Sequence, residues 1–434
     1  MNFSKYLDQS SEPYAPSGYP PPQCWGKISP GKVLSALRAP GAAPAGIMLK
    51  LAFPLCGAKC SFCDFSVSPD RELLEKYPRA ITSEMKLMRG LFAGRSFFSL
   101  RLGGNPFALA PAQLDRVFAA ASADFKFTRD HKSGIELNPA YITGEKLKLA
   151  AGYGIQWAIL GVQSRDRAVL SGARCAHQDV DLEKKYELLK NSGIKYVSMD
   201  LMFGLPLQTT ESFIRDVLAL VKMRPERIAI YRFSGFKASK RELDYIISKG
   251  FGLMEKAGYI FQKKHDPYWG VLDLKHDMSW PHAYETGNPV NAYSILSLGV
   301  GARSYLWGRV RYQNKRDVRA YMRSLGAGLL PAEAGSVMSV RDEMVNYMLL
   351  SFDCLTEIRT ADFRARFGVE LDAVFGRQFK ALRKAGIVQP GPGGYKILGG
   401  HDLARPAARG VFFPPELVKL LNERGRSWVM PARG

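Results

Sequence analysis

No apolar run in this chain approaches the roughly 18 to 20 residues that a membrane-spanning helix needs, so a helical span is excluded. Residues 1–18 also lack the basic-then-apolar order of a secretory signal, and a cytoplasmic chain is expected. Cysteine is scarce, with 6 residues in 434. In a reducing compartment these thiols read as ligands or free side chains rather than disulfides. Acidic residues are outnumbered 40 to 61 by basic ones, giving a net charge of +21. Such a surface attracts polyanions. The basic residues are scattered, however, and no helix gathers basic and amide side chains as a base-reading helix does, so a nucleic-acid partner is not expected.

What is present is enough apolar residue for real cores, 46% of the chain, at a length that suggests one large and one or two small domains. Residues 1–45 are rich in Pro, Gly, Ser and Ala, and Pro20, Pro21 and Pro22 cannot continue a helix. They read as an extension that wraps the main domain or is partly disordered, with Cys24 and Trp25 marking a part that packs. From residue 47 the pattern becomes strand, loop, helix, repeated. Candidate strands are 47–53, 97–102, 134–137, 157–161, 196–202 and 228–231. Helical stretches lie at 72–92, 111–120, 145–152, 182–192 and 211–222. Pro111 suits a first helical position and Gly193 a C-terminal cap. The alternation predicts a parallel sheet covered by helices, closed wholly or partly into a barrel.

Three of the six cysteines, Cys56, Cys60 and Cys63, fall within eight positions directly after the first strand. Thiolates clustered at fixed short spacing point to a metal centre. A four-iron cluster held by three cysteines leaves one iron without a protein ligand, where four-cysteine sites serve electron transfer. In a barrel of this kind the site lies at the C-terminal ends of the strands. Other strand ends carry polar punctuation there: Gly103-Gly104-Asn105-Pro106, Glu136-Leu137-Asn138-Pro139, Gly161-Val162-Gln163-Ser164, and Asp200 ahead of Gly204-Leu205-Pro206. Singly, each is as well read as a turn or cap. Recurring on the cysteine face, they favour a ligand pocket. Beyond residue 311, residues 332–421 read as mostly helical, with helices near 340–350, 361–367 and 375–385 and a short strand pair at 387–388 and 395–398. Three helices and a hairpin make a winged-helix shape.

These motifs together resemble the radical S-adenosylmethionine (SAM) superfamily, and more narrowly oxygen-independent coproporphyrinogen III oxidase and its haem-chaperone relatives. Cys-x3-Cys-x2-Cys after a strand, with the aromatic Phe62 before the third cysteine, is the superfamily signature, and Phe65 matches the chaperone branch. The resemblance covers about residues 47–400. It implies an α/β fold, a partial (β/α)6 TIM-like barrel at 46–310, followed by a winged-helix-like domain at 311–402 and a tail at 403–434. It implies a [4Fe-4S] cluster on Cys56, Cys60 and Cys63, and SAM cleaved to a 5′-deoxyadenosyl radical. SAM contacts are expected from Phe62, Gly103, Gly104, Asn105, Glu136, Gln163, Arg174 and Asp200. A tetrapyrrole or other carboxylate-bearing substrate and an electron donor such as flavodoxin or ferredoxin follow from the same resemblance.

The chain departs from the family at four places. Lys50 and Ala52 replace an aromatic residue and a histidine before the cysteines, Asn105 replaces a threonine, and Arg303 replaces a histidine. An arginine expected to grip the SAM carboxylate aligns with Cys175, or with Arg174 after a one-residue slip. Haem is a further candidate ligand. The chaperones' His-Asn-x-x-Tyr-Trp motif is approached by His265-Asp266-Pro267-Tyr268-Trp269 and His276-Asp277-Met278-Ser279-Trp280, each more simply read as an aromatic-rich loop. Arg303, Arg309 and Arg311 are candidate carboxylate grips. Two alternatives to a tetrapyrrole-modifying enzyme remain: a haem chaperone that keeps the cluster, and a radical SAM methyltransferase or cyclopropanase that binds a second SAM.

Overall fold

A computed structural model of the chain describes residues 19–22, 25–39, 46–63, 68, 70–233, 235, 239–261, 269–273, 293–398 and 401–415. Cys24, His265 and the 276–280 motif lie outside the described residues.

Six strands follow one another in sequence order as parallel neighbours: β1 (Gly46–Phe53), β2 (Ser96–Gly104), β3 (Ser133–Leu137), β4 (Ile155–Gln163), β5 (Tyr196–Phe203) and β6 (Arg227–Arg232). Parallel strands covered on both faces need near-continuous apolar runs. β1 shows this, since six of its eight residues are buried and only Gly46 and Lys50 are partly open.

The crossover helices α1 (Arg71–Arg89), α2 (Pro111–Asp124), α3 (Gly144–Gly152), α4 (Leu182–Lys190) and α5 (Thr210–Met223) start where the chain supplies caps. Asp70, Thr143 and Asp181 each accept a first-turn N–H, and Thr209 and Ser212 form a capping box. Pro111 opens α2 as its position suggests. α4 stops at Lys190 with Asn191 as its cap. Gly193, expected as that cap, instead takes a φ of +91° in the turn beyond. Between sheet and helices lies one large core, in which Phe53, Phe97, Phe107 and Phe118 are wholly buried. Each such side chain contributes roughly 1.5–3 kcal/mol relative to exposure.

Among the described residues the sheet forms a partial barrel. On the β1 side it continues through a parallel strand, Tyr293–Leu298, then antiparallel strands Arg303–Leu306, Val310–Asn314 and Ala332–Val337. On the β6 side it continues through Trp269–Asp273 to Ile260–Phe261, and among the described residues the two margins do not pair. The sheet therefore runs on past residue 310, and residues 332–337, expected to be helical, form a strand because they complete this ladder. We propose a domain boundary near Met338 rather than at 311.

Beyond it, helices α6 (Val340–Cys354), α7 (Thr360–Phe367), α8 (Leu371–Lys384) and α9 (His401–Phe412) and a three-stranded sheet enclose a second core. The expected hairpin is present as Val388–Gly391 and Gly394–Ile397, joined by a third strand, Glu357–Arg359. The N-terminal segment packs in its described part. Tyr19 enters the second core, Gly26–Lys27 pairs with the strand Ala332–Val337, and Val33 is wholly buried.

Two of the arginines proposed as carboxylate grips are structural. Arg309 donates to the carbonyls of Ala36, Leu37 and Ala39 at the end of the helix Pro30–Arg38. Buried Arg311 donates to Asn346 Oδ1 at 2.9 Å and stacks on Tyr305, 4.0 Å from the ring centre. They were misread because their partners are backbone carbonyls and an α6 amide, neither visible as a local motif.

Candidate functional site

The cysteine loop leaves β1 at its C-terminal end and is held at both ends and in its middle. Leu55 bridges to Ser68, whose amide donates to Pro54 O at 3.0 Å. Within it, Gly57 N donates to the Tyr141 hydroxyl at 2.8 Å, Ser61 N to Ala173 O at 2.9 Å, and Cys63 N to Cys60 O at 3.1 Å. A Cβ on residue 57 would stand 2.9 Å from the Tyr141 oxygen, which explains glycine there. Tyr141 escaped the motif reading. It ends the short 3-10 turn after Glu136-Leu137-Asn138-Pro139, and its position there was the available signal.

The four described cysteines, Cys56, Cys60, Cys63 and Cys175, form no disulfide with one another. Cys60 packs against the small apolar cluster that holds Cys175. The Cys175 side chain beside it holds Cys60 below the usual thiol range, while Cys60 and burial together push Cys175 up. Burial likewise raises Tyr141. Among the described residues no three His, Cys, Asp or Glu side chains converge on a single ion. A cluster makes a different demand, because each thiolate holds its own iron. A thiol set with Cys56 buried and Cys60 and Cys63 half-buried suits that demand in its chemistry.

The neighbouring strand ends form one polar patch. Glu136 is half-buried, and its Oε2 accepts from Gly104 N at 2.6 Å. A Cβ on Gly103 would meet Lys50 Cε at 3.3 Å and Glu136 Oε1 at 3.4 Å, so these three residues share a face. At Gly104, φ is +86° and a Cβ would fall 2.4 Å from Phe53 O. Only glycine lets β1 and β2 approach so closely. The Gly104 amide, expected to face a ligand, is thus occupied by Glu136.

Asn105 is the opposite case. Its backbone N–H goes to Phe53 O, the residue is 5% exposed, and among the described residues neither side-chain amide atom has a hydrogen-bond partner. A buried amide left in this state needs a ligand or water to complete it. Gln163 holds a φ of +64°, a conformation that L-residues seldom adopt outside functional or tightly constrained sites. Asp200 pairs with Gly161 across β4 and β5 and is half-buried.

Other candidates separate. Phe62 packs with Cys60 against Cys175, Met202 and Leu205. Arg174 is exposed with a φ of +57°, near enough to Cys60 to act on its charge. Asn138 caps its own turn through Ala140 N, and Gln208 closes the Gly204-Leu205-Pro206 turn through Leu205 N and Met202 O. Ser164 donates to Asp216 at 2.6 Å, a contact that fixes the end of β4 on α5.

Residues 52–220, from the end of β1 through most of α5, match the radical SAM superfamily. The chain carries a radical SAM domain. It is 24% identical over 389 residues to an oxygen-independent coproporphyrinogen III oxidase of Helicobacter pylori, covering 82% of this chain and 83% of that protein. It is 22% identical over 347 residues to the haem chaperone HemW of Lactococcus lactis, covering 76% of this chain and 87% of that one. The fold matches the solved structure of coproporphyrinogen III oxidase HemN of Escherichia coli with a TM-score of 0.78 at 20% identity, over 92% of this chain and 96% of that one. The partial barrel and the helical C-terminal region thus share the fold of that solved structure. Among the described residues no helix is long and apolar enough to cross a membrane.

Proposed function

We propose that this chain is a cytoplasmic radical SAM protein acting on a tetrapyrrole or a related carboxylate-bearing substrate. In this reading Cys56, Cys60 and Cys63 hold a [4Fe-4S] cluster. SAM lies along the β2 to β5 strand ends, beside Phe62, Gly103, Gly104, Asn105, Glu136, Gln163 and Asp200, with Arg174 at the rim. The cluster, when bound, supplies the electron that cleaves SAM reductively. The chain's own residues bind, orient and shield. Glu136 fixes the glycine turn while keeping Oε1 turned to the patch, and a carboxylate there suits ribose hydroxyls. Phe62, Met202 and Leu205 keep water from the cysteine loop. The basic chain attracts an anionic substrate and an acidic electron donor of the flavodoxin or ferredoxin kind.

The observation that carries this reading is the cysteine loop at the end of β1 beside the buried, unpartnered Asn105 amide. Protein reconstituted anaerobically, then given SAM and dithionite, is expected to release 5′-deoxyadenosine. None from a cluster-loaded sample, beside a control enzyme that works, overturns catalysis. The haem-chaperone reading then stands in its place, supported by relatives of that name at nearly the same identity. Haem titration of His265→Ala and His276→Ala tests it, and a Soret band unchanged in both removes those ligands.

A further inference from the structure

One row of side chains crosses the inner face of the sheet just below the strand ends. Lys50 in β1 stands in register with Ser297 of the strand Tyr293–Leu298 on one side and with Arg101 of β2 on the other. The residues flanking these three along their strands, Leu49 and Leu51, Leu296 and Leu298, Leu100 and Leu102, all belong to the core under the helices. By strand alternation Lys50, Ser297 and Arg101 turn to the opposite face, the inside of the barrel. Arg101 is 6% exposed and lies along the row, over Gly134, where a Cβ would fall 2.2 Å from Nη1. Lys50 climbs instead. Its stem passes Gly103, where a Cβ would stand 3.3 Å from Cε, and so carries the ammonium to the level of Glu136 at the barrel mouth. Lys50 is half-buried there, and its ammonium has no hydrogen bond or ion pair with any described residue. Two polar groups close by in the sheet are in the same state. Ser297 is 1% exposed and Asn105 is 5% exposed, and neither the Ser297 hydroxyl nor the Asn105 amide group has a partner among the described residues. A charge withdrawn from water without a counter-charge is costly, and an anion in the same place offsets that cost.

We propose that Lys50 is a specificity-determining residue whose ammonium binds a carboxylate entering the barrel mouth. This rests on the function proposed above, which brings two carboxylates to this place, one on the amino-acid part of SAM and one on the substrate. The chemistry is the same for both, a charge-assisted N–H···O bond, which is among the stronger kinds. A lysine suits the task because its ammonium is a point charge with three donors on a flexible stem. The buried guanidinium of Arg101 in the same row adds to the positive field. Glu136 does not cancel it fully, since one of its oxygens is taken by the Gly104 amide. Neither the family match nor the relatives' names assign Lys50 a part.

The test compares wild type, Lys50→Met and Lys50→Arg, each reconstituted anaerobically and matched for iron content. Lys50→Gln takes the place of Lys50→Met if the latter loads less iron than wild type. Equilibrium dialysis measures binding of SAM and of decarboxylated SAM, and fluorescence titration measures binding of coproporphyrin III and of its carboxamide. Lys50→Met is expected to weaken the probe whose carboxylate is recognised about ten- to a hundredfold, the range of one hydrogen bond to a charged group. The counterpart without a carboxylate is expected to bind both proteins alike, and Lys50→Arg to keep most of the affinity. A loss confined to SAM assigns the site to the cofactor, and one confined to coproporphyrin assigns it to the substrate. Equal affinities of wild type and Lys50→Met for both SAM and coproporphyrin overturn the proposal. So does an equal loss for the probes without a carboxylate, because Lys50 then acts by packing alone. Wild type that binds neither SAM nor coproporphyrin fails one step earlier, at the functional reading, and takes the proposal with it.

Discussion

Two glycine turns at the same edge of the sheet do the same local job in opposite surroundings. Gly104, ending β2, gives its amide to Glu136, and Gly299, after the strand Tyr293–Leu298 on the other side of β1, gives its amide to Glu84 at 2.8 Å. Glu84 is wholly buried and also receives Asn314 Nδ2 at 2.6 Å and the Tyr321 hydroxyl at 2.6 Å. Tyr77 completes that region, linking Ala52 O to Val300 N. Glu136 keeps one oxygen turned to Gly103 and Lys50 on a half-open face. The same carboxylate-to-glycine contact is thus closed in one place and open in the other. A satisfied, closed network gives rigidity, and an open one leaves capacity for a ligand.

The largest expected effect falls on the closed side. Glu84→Leu leaves the Gly299 amide and the Tyr321 hydroxyl without this acceptor in a buried core, and takes from Asn314 Nδ2 one of its two acceptors, the other being Gly299 O. The expected loss is about 3 kcal/mol or more, read by chemical denaturation. Glu136→Ala should cost far less stability but weaken SAM binding about tenfold in equilibrium dialysis, the span of one charge-assisted bond. If the two substitutions destabilise equally, the contrast between the turns is lost.

The pH dependence of stability sharpens the same contrast. Burial lifts the Glu84 carboxyl from an ordinary 4.5 to about 7, against the pull of its three donors. The native state therefore holds this proton more tightly than the unfolded chain. Its contribution is fully present below about pH 4.5 and is lost as pH rises through about 7, a fall of about 3 kcal/mol. Glu84→Gln should flatten that slope in denaturation curves taken from pH 5 to 8. An unchanged slope assigns the proton elsewhere. The smallest effect expected is that of Tyr141→Phe, which removes the tie to Gly57 N and should cost about 1 kcal/mol. Urea denaturation reads this loss, and faster release of iron to a chelator is expected beside it.

No local signal in the sequence ranks these two turns. The six parallel strands and their helices were legible because apolar runs, caps and Pro111 are local signals. The cysteine loop was legible by spacing. What stayed hidden lies far apart in the chain: Glu84 is 215 residues from Gly299 and 237 from Tyr321. The strand Ala332–Val337 was hidden for the same reason, since residues 332–337 carry no strong strand pattern and are strand only because Val310–Asn314 pairs with them. Cys175 was noticed as a departure, but its contact with Cys60 needed the fold.

The central claim is that the loop after β1 is a cluster site open at one iron. It is tested most directly by counting iron and acid-labile sulfide in anaerobically reconstituted wild type, Cys56→Ala, Cys60→Ala and Cys63→Ala. Wild type is expected to hold about four of each per chain, and each variant little of either. Variants that keep the wild-type content, or wild type that takes up none, would contradict it.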